Sequence, residues 1–406
     1  MKNLADIKIP ERILRAVADG GPDAINHARR AWLKAAGVGA AAVSVTALAQ
    51  ACSPTATAAP TPAAATPPAP KGPAILASNE SPFGPSPKAV DEMSKVLTLT
   101  ARYANAETVD LQKKIAAIEG VDYSQVFIAN GSSPILQAYG EMISQKGKGE
   151  LVTSVATYEG VPRAAKTYGA HVIETPLTKE FGIDLDAMSA KVSKKTTGIY
   201  VNNPNNPTGN MVSAAKLKAF AEAHATPTTP VFIDEAYLDL CDDYAGNVMT
   251  GLVRDGKNVI IGRTFSKIYG MAGQRIGYGI AQKELAQDLA GAVRLGGVNH
   301  LGLVAAMASL DDKEFVPAMK PKFAAGRARL LEMVKATGRP YAPNPQASFV
   351  FMDVGMPNKV FAEKMAAEGV MVVGRTWAGY ENWTRMCVGE DWELDRAATA
   401  LKKVLA

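Results

Sequence analysis

The feature that most restricts the fold of this chain is an alternation of short strand-like and helix-like segments over residues 109–296. The strand-like segments are rich in β-branched residues and read GELVTSVATY, AHVIETPL, TGIYVNNP, PVFIDEAYLDL, NVIIGRTFS and RIGYGIA. Helix patterns such as SAAKLKAFAEAHA lie between some of them, and Ser213 is the expected N-cap of that helix. Such alternation predicts an α/β fold in which helices cover both faces of a mostly parallel sheet.

The C-terminal part of the chain has a different pattern. Residues 313–336 predict one long helix, and SFVFMDV, GVMVVGR and TRMCVGE predict three strands with helices between them. A chain of 406 residues has room for more than one core. We therefore expect a large domain over residues 106–296, a smaller α+β domain over residues 297–406, and a segment over residues 73–105 that joins the small domain.

The N-terminal residues 1–51 resemble an export signal. Arg29 and Arg30 precede Leu33, Lys34 and the uncharged run AAGVGAAAVSVTALA, as in signals read by the twin-arginine route. The alternative is a short amphipathic helix that begins a domain, but the run lacks a polar face and contains glycine and β-branched residues, which are poor helix formers. Because proteins that use this route generally leave the cytoplasm folded, often with a cofactor, we expect a periplasmic protein that holds one.

Residues 52–72 predict an extended linker. The run SPTATAAPTPAAATPPAP is rich in Pro, Ala and Thr, and it offers too little apolar surface to fold alone. Ala49, Gln50 and Ala51 have the small-x-small pattern of a signal-peptide cleavage site. Cys52 followed by a spacer also fits a lipid anchor that tethers the protein to a membrane, and the sequence leaves this alternative open.

Charge and cysteine content exclude several classes of function. The net charge is +5, but residues 1–51 carry seven Lys and Arg against four Asp and Glu, which leaves 37 against 35 in the remainder, or +2. A nearly balanced surface lacks the basic patch of a nucleic-acid-binding protein. The three cysteines and four histidines are scattered, so we expect no metal site. The glycine fingerprints of dinucleotide-binding and P-loop proteins are missing from the sequence.

Polar residues occur where two of the predicted strands end. The run NNPNNPTG at residues 202–209 follows one strand, although turn formation alone would explain its composition. Asp234 lies within the apolar run VFIDEAYLDL, and Tyr237 follows it three residues later. A carboxylate in such a run is costly unless a cation or a strong donor meets it. The alternative is an aspartate in a local salt bridge on an edge strand.

A third strand end predicts an anion site. The run VFIANGSSPILQAYGEMI indicates a strand, a turn at Gly131, and a helix that begins near Ser132 and Ser133. Backbone N–H groups at the start of a helix point outward and attract anions. A glycine turn alone is weak evidence for an anion site. The prediction depends on the segment over residues 262–275, described next.

Residues 262–275 read GRTFSKIYGMAGQR and place an amine among anion-binding groups. Lys267 follows a strand and the hydroxyl residues Thr264 and Ser266, and Arg275 follows eight residues later. Arginine binds anions bidentately, and a threonine hydroxyl donates to them. A phosphate cradle, an amine nucleophile, a buried carboxylate and hydroxyl donors together fit an aldehyde cofactor with a phosphate and a basic ring nitrogen. That cofactor is pyridoxal phosphate.

From Ala77 to the C-terminus the chain resembles aminotransferases of the large fold-type-I family, and within it the histidinol-phosphate aminotransferase branch. The segments that carry the resemblance follow the family order over roughly 310 residues. They read SNESPFGPSPKAV, RYANAETVDLQKKIA, NGSSPIL, TYEGV, NNPNNPTG, DEAYLD, RTFSKIYGMAGQRIGYGI and TRMCVGE.

The resemblance implies a role for each candidate residue around the cofactor. Lys267 binds pyridoxal phosphate covalently and later moves the substrate α-proton, while Asp234 pairs with the ring nitrogen. Asn206 and Tyr237 hydrogen-bond the ring oxygen, and Tyr158 stacks on the ring. The positions that hold the cofactor phosphate are Ser132, Ser133, Thr264 and Arg275.

Four further residues are implied to contact the substrate or a second subunit. Tyr103 matches the family tyrosine that reaches the phosphate of the neighbouring subunit, which implies a homodimer with shared active sites. Arg385 matches the arginine that binds the substrate α-carboxylate, and Asn79 is expected to line the substrate pocket. Arg375 is the candidate for the phosphate end of histidinol phosphate.

The chain also departs from this branch. Ala104, Ala156 and Ser348 stand where the branch has Pro, Pro and Asn, and an exported protein fits poorly with histidine synthesis, a cytoplasmic pathway. We predict an exported, pyridoxal-phosphate-dependent aminotransferase that acts between an amino acid or related amine and a 2-oxo acid, and we leave the substrate open. The alternatives are a decarboxylase, lyase or racemase on the same fold, and a non-catalytic protein that binds amino acids or the cofactor.

Overall fold

The predicted alternation of strands and helices builds one central seven-stranded sheet. The structure is a computed structural model, which describes residues 72–293 and 297–406. Its strands in chain order are β1 (Ala74–Ile75), β2 (Val126–Ala129), β3 (Glu150–Ser154), β4 (His171–Thr175), β5 (Thr196–Asn202), β6 (Val231–Asp234), β7 (Val259–Thr264), β8 (Gly277–Ile280), β9 (Phe349–Asp353), β10 (Val370–Met371) and β11 (Trp383–Cys387). Strands β3 to β8 coincide with the six strand-like segments, so this part of the prediction is confirmed.

The order of the central sheet is β2-β8-β7-β6-β5-β3-β4. Strand β8 is antiparallel to β2 and β7, and the other four pairs are parallel, which confirms the mostly parallel sheet. The register places Asn202 of β5 beside Asp234 of β6, and Asp234 beside Gly262 of β7. Because parallel strands end at the same edge of a sheet, the polar residues that follow β5, β6 and β7 are brought together.

Helices cover both faces of this sheet. They are α1 (Pro87–Lys95), α2 (Asn105–Glu119), α3 (Ser132–Ser144), α4 (Gly160–Thr167), α5 (Leu185–Ser189), α6 (Ala214–His224), α7 (Thr250–Arg254), α8 (Lys283–Val293) and α9 (His300–Asp311). The expected N-cap of α6 is present, since Ser213 Oγ accepts a hydrogen bond from the N–H of Lys216 at 3.4 Å.

Both faces are buried because alternate residues of each strand point to opposite sides. Val231 and Ile233 of β6 pack in an apolar cluster with residues of α2, α6 and α9. Phe232, between them, packs in a second cluster with residues of α3 and α8, and its ring centroid lies 5.1 Å from that of Tyr139. Burial of one such side chain contributes about 1.5–3 kcal/mol to the free energy of unfolding.

The C-terminal region contains α10 (Phe315–Lys335), α11 (Asn358–Ala367) and α12 (Asp391–Leu405). Helix α10 confirms the long helix predicted over residues 313–336. The three predicted strands are present, but residues 372–382 form no helix between β10 and β11, contrary to the prediction. Strand β9 pairs antiparallel with β11, whereas β10 pairs in parallel with β1 from the start of the described chain. The N-terminal segment thus contributes a strand to this region.

A buried ion cluster braces the ends of β6 and β7. Arg263, only 3% exposed, donates from Nε to Glu235 Oε2 at 2.8 Å and from Nη1 to Glu119 Oε1. Its Nη2 donates to Thr250 Oγ1 at 3.2 Å. A buried charge is tolerated only when it is paired and its donors are satisfied, and here both conditions hold. Since Glu235 follows Asp234 in sequence, the cluster fixes the backbone beneath the predicted site.

The residues from Ala74 to Ala406 form one compact unit. The predicted signal peptide at residues 1–51 lies outside the described residues, as do Cys52 and nearly all of the predicted linker. Among the residues that are described, no helix combines the length and the apolar character needed to cross a bilayer. The two domain boundaries predicted within the unit, after residues 105 and 296, stay predictions.

Candidate active site

The ends of β5, β6 and β7 place three predicted residues at one edge of the sheet. Asp234 is the last residue of β6, Asn206 lies four residues beyond β5, and Lys267 lies three residues beyond β7. Asp234 and Asn206 are buried, and Lys267 is partly buried. The edge therefore combines a carboxyl, an amide and an amine in a largely dehydrated environment.

The Lys267 amine faces the N-terminal segment. Its Nζ donates to the backbone oxygen of Asn79 at 3.2 Å and lies 5.3 Å from the centroid of the Tyr237 ring. Burial lowers the pKa of the Lys267 amine, the nearby Tyr158 phenol acts to raise it, and the positive charge of Arg385 lowers it further. A lysine with a lowered pKa has a larger neutral fraction, which is the form that acts as a nucleophile or base.

Asp234 has the strong donor that its position requires. Its Oδ2 accepts from the Tyr200 hydroxyl at 2.9 Å, and its Oδ1 accepts from the N–H of Ala236 at 3.1 Å. Burial raises the pKa of the Asp234 carboxyl to about 6, against these two hydrogen bonds, which lower it. The alternative of a salt bridge on an edge strand is wrong, because β6 lies between β5 and β7 and the side chain is buried.

Tyr237 connects two buried amides. Its hydroxyl oxygen accepts from Asn79 Nδ2 at 2.8 Å and from Asn206 Nδ2 at 3.4 Å. Burial raises the pKa of the Tyr237 phenol to about 12, so the hydroxyl keeps its proton at neutral pH. Because both amides donate to the oxygen, the hydroxyl proton is left to donate elsewhere.

Arg385 on β11 closes this hydrogen-bond chain from the C-terminal region. Its Nη1 donates to Asn206 Oδ1 at 2.7 Å, and its Nη2 donates to the backbone oxygen of Ala77. The side chain is buried, yet Nε has no hydrogen-bond partner. An unsatisfied donor on a buried guanidinium fits an anion such as a carboxylate.

The groups predicted to hold a phosphate lie together at the start of α3. Gly131, with φ of 90°, precedes Ser132, and the Arg275 guanidinium occupies the space that a Cβ at Gly131 would need. Ser266 Oγ accepts from Thr264 Oγ1 at 3.0 Å and from Arg275 Nη1 at 3.3 Å. The free N–H groups of the helix, two hydroxyls and a guanidinium therefore meet at one place, as an anion site requires.

Ser266 and Tyr200 are two site residues that the sequence analysis did not assign. Ser266 shares the hydroxyl pair beside Lys267, so its signal was visible in the sequence. Tyr200 gave no signal, because it lies within the apolar run of β5 and has the pattern of a core residue. Its role emerges only from the pairing of β5 with β6.

Arg375, the candidate contact for a substrate phosphate, already has an anionic partner. It forms an ion pair with Glu159, and its Cζ lies 5.0 Å from the ring centroid of Trp377 and 6.0 Å from that of Tyr158. Burial lowers the pKa of the Arg375 guanidinium, and the charge of Glu159 opposes this. The pair therefore lies beside Tyr158.

Tyr103 is the predicted residue that the structure does not bring into this cluster. Its side chain is 83% exposed and lies against Gly297.

Ser133 follows Ser132 in the first turn of α3, where its N–H is free for an anion. Among the described residues, no cluster of three or more His, Cys, Asp or Glu side chains could hold a metal.

The donor set fits the predicted cofactor. An anion site at α3, a buried carboxyl of raised pKa and an amine of lowered pKa match a phosphate, a basic ring nitrogen and an aldehyde. The partnerless Nε of Arg385 adds a place for a substrate carboxylate.

Known proteins have the same sequence pattern. A family profile described as aminotransferase class I and II matches residues 73–401. A histidinol-phosphate aminotransferase from Moorella thermoacetica is 35% identical over 334 residues, which are 82% of this chain and 85% of that protein. An aromatic amino acid aminotransferase from Cutibacterium acnes is 32% identical over 330 residues, 81% of this chain and 92% of the relative.

Solved structures show the same fold. The crystal structure of histidinol-phosphate aminotransferase from Sinorhizobium meliloti in complex with pyridoxal-5'-phosphate matches with a TM-score of 0.75 and 28% identity. The match covers 82% of this chain and 91% of that one. An aspartate aminotransferase from Thermus thermophilus matches with a TM-score of 0.73 at 21% identity, covering 82% of this chain and 92% of that one, and it supports the fold alone.

The family profile spans most of the chain, the relatives match over four fifths of it, and the geometry of the site fits the cofactor bound in a solved neighbour. The chain belongs to the class I and II aminotransferase family and is an aminotransferase that depends on pyridoxal 5'-phosphate.

Proposed function

We propose that this aminotransferase is exported and transfers an amino group between an amino acid, or a related amine, and a 2-oxo acid. The observation that supports amino transfer is the chain of hydrogen bonds from the Lys267 amine through Asn79, Tyr237 and Asn206 to Arg385. It connects a base and a carboxylate-binding guanidinium through three intervening residues. That is the arrangement needed to hold an α-amino acid while its α-proton is moved.

The proposed roles of the cofactor-binding residues follow from their contacts. Arg275, Thr264 and Ser266, with the N–H groups at the start of α3, bind the phosphate. Asp234, held by Tyr200, pairs with the ring nitrogen and keeps it protonated. When bound, pyridoxal phosphate supplies an aldehyde that links to amines and a ring that withdraws electrons from the substrate α-carbon.

Lys267 and Arg385 are proposed to act on the substrate. The neutral amine of Lys267, favoured by its lowered pKa, accepts the proton from the α-carbon. Arg385 binds the α-carboxylate through Nε and the edge of a guanidinium that Asn206 and Ala77 hold in place. A fixed guanidinium loses little conformational entropy on binding, which favours a productive orientation.

The surroundings of Tyr158 and Arg375 bear on the choice of substrate side chain. In the histidinol-phosphate branch a phosphate would need a free cation there, whereas Arg375 is already paired with Glu159 and only its Nε has no hydrogen-bond partner. Arg163 Nη2 also lies 3.5 Å from Glu159 Oε1, so this carboxylate is shared between two arginines. An anionic side chain would have to compete with Glu159, and the proposal therefore keeps the amino donor open rather than assigning histidinol phosphate.

The first prediction tests transamination itself. Single amino acids added to the purified protein, without an oxo acid, should convert the absorbance of the lysine-bound cofactor stoichiometrically to that of its amino form. The amino acids that respond identify the donor class. Lys267→Ala is expected to lose both the initial absorbance and the conversion. Release of carbon dioxide, ammonia or the opposite enantiomer without conversion would establish the decarboxylase, lyase or racemase alternative instead.

The second prediction concerns the Asp234 carboxyl. Its pKa is raised to about 6 in the protein, so it is charged above that pH and neutral below it. Cofactor affinity should fall as the pH drops through about 6 or somewhat below, because the partner of the ring nitrogen loses its charge. Asp234→Asn should lower the affinity at pH 8 about tenfold or more and remove this pH dependence.

Equilibrium titration of the cofactor between pH 5 and pH 8 measures both effects. The exposed Asp186 on α5 provides the control, since Asp186→Asn changes the same charge at a residue outside the candidate site. An Asp234→Asn protein that binds the cofactor as tightly as the parent, with the same pH profile, would remove Asp234 from its proposed role.

A homodimer is also proposed, as is typical of this family. Leu97, Leu99 and Tyr103 are 57%, 55% and 83% exposed in the segment between α1 and α2. Clustered exposed apolar side chains of this kind favour a protein interface. Leu99→Glu should convert a dimer to a monomer in sedimentation equilibrium, whereas Val360→Glu on α11 should leave the mass unchanged. A parent protein that sediments as a monomer contradicts the proposal.

Export is proposed from residues 1–51 alone. A reporter fused after residue 51 should reach the periplasm, and replacing Arg29 and Arg30 together by lysine should retain it in the cytoplasm, since this route distinguishes the arginine pair from its charge. Fractionation with antibody detection measures both. An unchanged location after the double replacement contradicts the signal, and full-length protein that stays in the membrane fraction after Cys52→Ser contradicts the lipid anchor.

A further inference from the structure

Cys387 lies at the end of β11 and is 2% exposed. It is a free cysteine whose thiol makes two hydrogen bonds to Asn79 and also lies beside the Arg385 guanidinium. Its Sγ donates to Asn79 Oδ1 at 2.7 Å and accepts from the backbone N–H of Asn79 at 3.1 Å. Two residues earlier on the same strand, and therefore on the same face, stands Arg385. The thiol is thus directed into the candidate site.

The backbone of Asn79 has an unusual conformation that these contacts stabilise. Its φ is 52°, in the left-handed region that residues with a side chain adopt at a cost. The strand end reinforces the contact, because the N–H of Cys387 donates to the backbone oxygen of Leu76 at 3.0 Å. Residues 76–79 are therefore held against the end of β11 by hydrogen bonds from both backbone and thiol.

This conformation aims both polar ends of Asn79 at catalytic candidates. Its backbone oxygen accepts from Lys267 Nζ at 3.2 Å, and its Nδ2 donates to the Tyr237 hydroxyl at 2.8 Å. The thiol donor fixes the side-chain oxygen toward Cys387, so the amide nitrogen must face Tyr237. With the opposite orientation of the amide, Tyr237 would donate its proton to Asn79 and lose it as a donor to the site.

We propose that Cys387 is a positioning residue of the active site. Its thiol orients the Asn79 amide so that Tyr237 keeps its hydroxyl proton for the ring oxygen of the cofactor and Lys267 keeps its backbone acceptor. The inference rests on the proposed function, since it assigns Tyr237 and Lys267 their roles. It predicts that the hydrogen-bonding capacity of the side chain at position 387 matters more than its volume.

Four variants separate these properties. Cys387→Ser and Cys387→Thr retain a donor, whereas Cys387→Ala and Cys387→Val do not, and the Thr and Val pair has nearly the same shape. Cys241→Ala is the matched control, because Cys241 is also buried and free but its backbone oxygen, rather than its thiol, accepts from Lys320. Thermal unfolding of the cofactor-free proteins reports whether each variant folds.

Absorbance of the bound cofactor as a function of pH is the decisive measurement, and it needs no substrate. A hydrogen bond donated to the cofactor's ring oxygen stabilises the ionised oxygen. If Tyr237 no longer donates this bond, the titration midpoint, which is the pH at which the absorbance of the bound cofactor is half changed, should rise. We expect an upward shift of at least about half a pH unit in the Ala and Val variants and none in the Ser variant. Where turnover is measurable, kcat should fall about tenfold in Val relative to Thr with little change in KM.

The outcomes are distinct. Equal midpoints in the Thr and Val variants, or a Ser variant as shifted as Ala, overturn the proposal. If Ala and Val fail to fold, Asn79→Asp and Asn79→Ala decide. A carboxylate at position 79 accepts the Tyr237 proton, as the reversed amide would, whereas alanine offers no acceptor, so an Asn79→Asp midpoint no higher than the Asn79→Ala midpoint contradicts the proposed orientation. A parent protein that converts no amino acid refutes the proposed function, while its titration midpoint still tests Cys387.

Discussion

The burial of Asp234 at the end of β6 is the constraint on which the rest of the site depends. A carboxyl in the middle of a parallel sheet is tolerated because the Tyr200 hydroxyl and the Ala236 N–H meet it, yet its pKa stays raised to about 6. A group in that state is stabilised further by any cation placed beside it. Because the carboxylate is destabilised by burial when no cation faces it, binding of a cofactor with a protonated ring nitrogen is favoured.

The ion cluster around Arg263 makes this arrangement rigid. Glu235 follows Asp234, and Thr264 follows Arg263, so the pairing of Arg263 with Glu235 joins the ends of two strands that carry functional groups. On the other side, Arg385 and Cys387 extend from β11 to the segment over residues 76–79. The hydrogen-bond chain from Lys267 to Arg385 thus connects the central sheet, the C-terminal region and the N-terminal segment, and it exists only in the folded chain.

Sequence reasoning found the residues whose chemistry is unusual for their setting. Asp234 in an apolar run and Lys267 among hydroxyl residues stood out because a core or a turn does not require them. It missed Tyr200 and Arg263, since a tyrosine in a buried strand and an arginine beside β-branched residues have no distinctive pattern. Sequence reasoning also wrongly expected a helix between β10 and β11. Strand β10 pairs with β1, which lies about 300 residues away, and local periodicity gives no sign of such a pairing.

The sequence by itself determined the α/β fold and the chemical identity of the cofactor site. Both depend on local patterns: apolar periodicity sets strands and helices, and each functional side chain follows a strand end. Only the tertiary structure decided how these side chains are paired, that Arg375 forms an ion pair with Glu159, and that the Cys387 thiol is hydrogen-bonded to Asn79. Such contacts join residues up to 308 positions apart, and their distances and orientations are set by packing, which no spacing along the chain encodes.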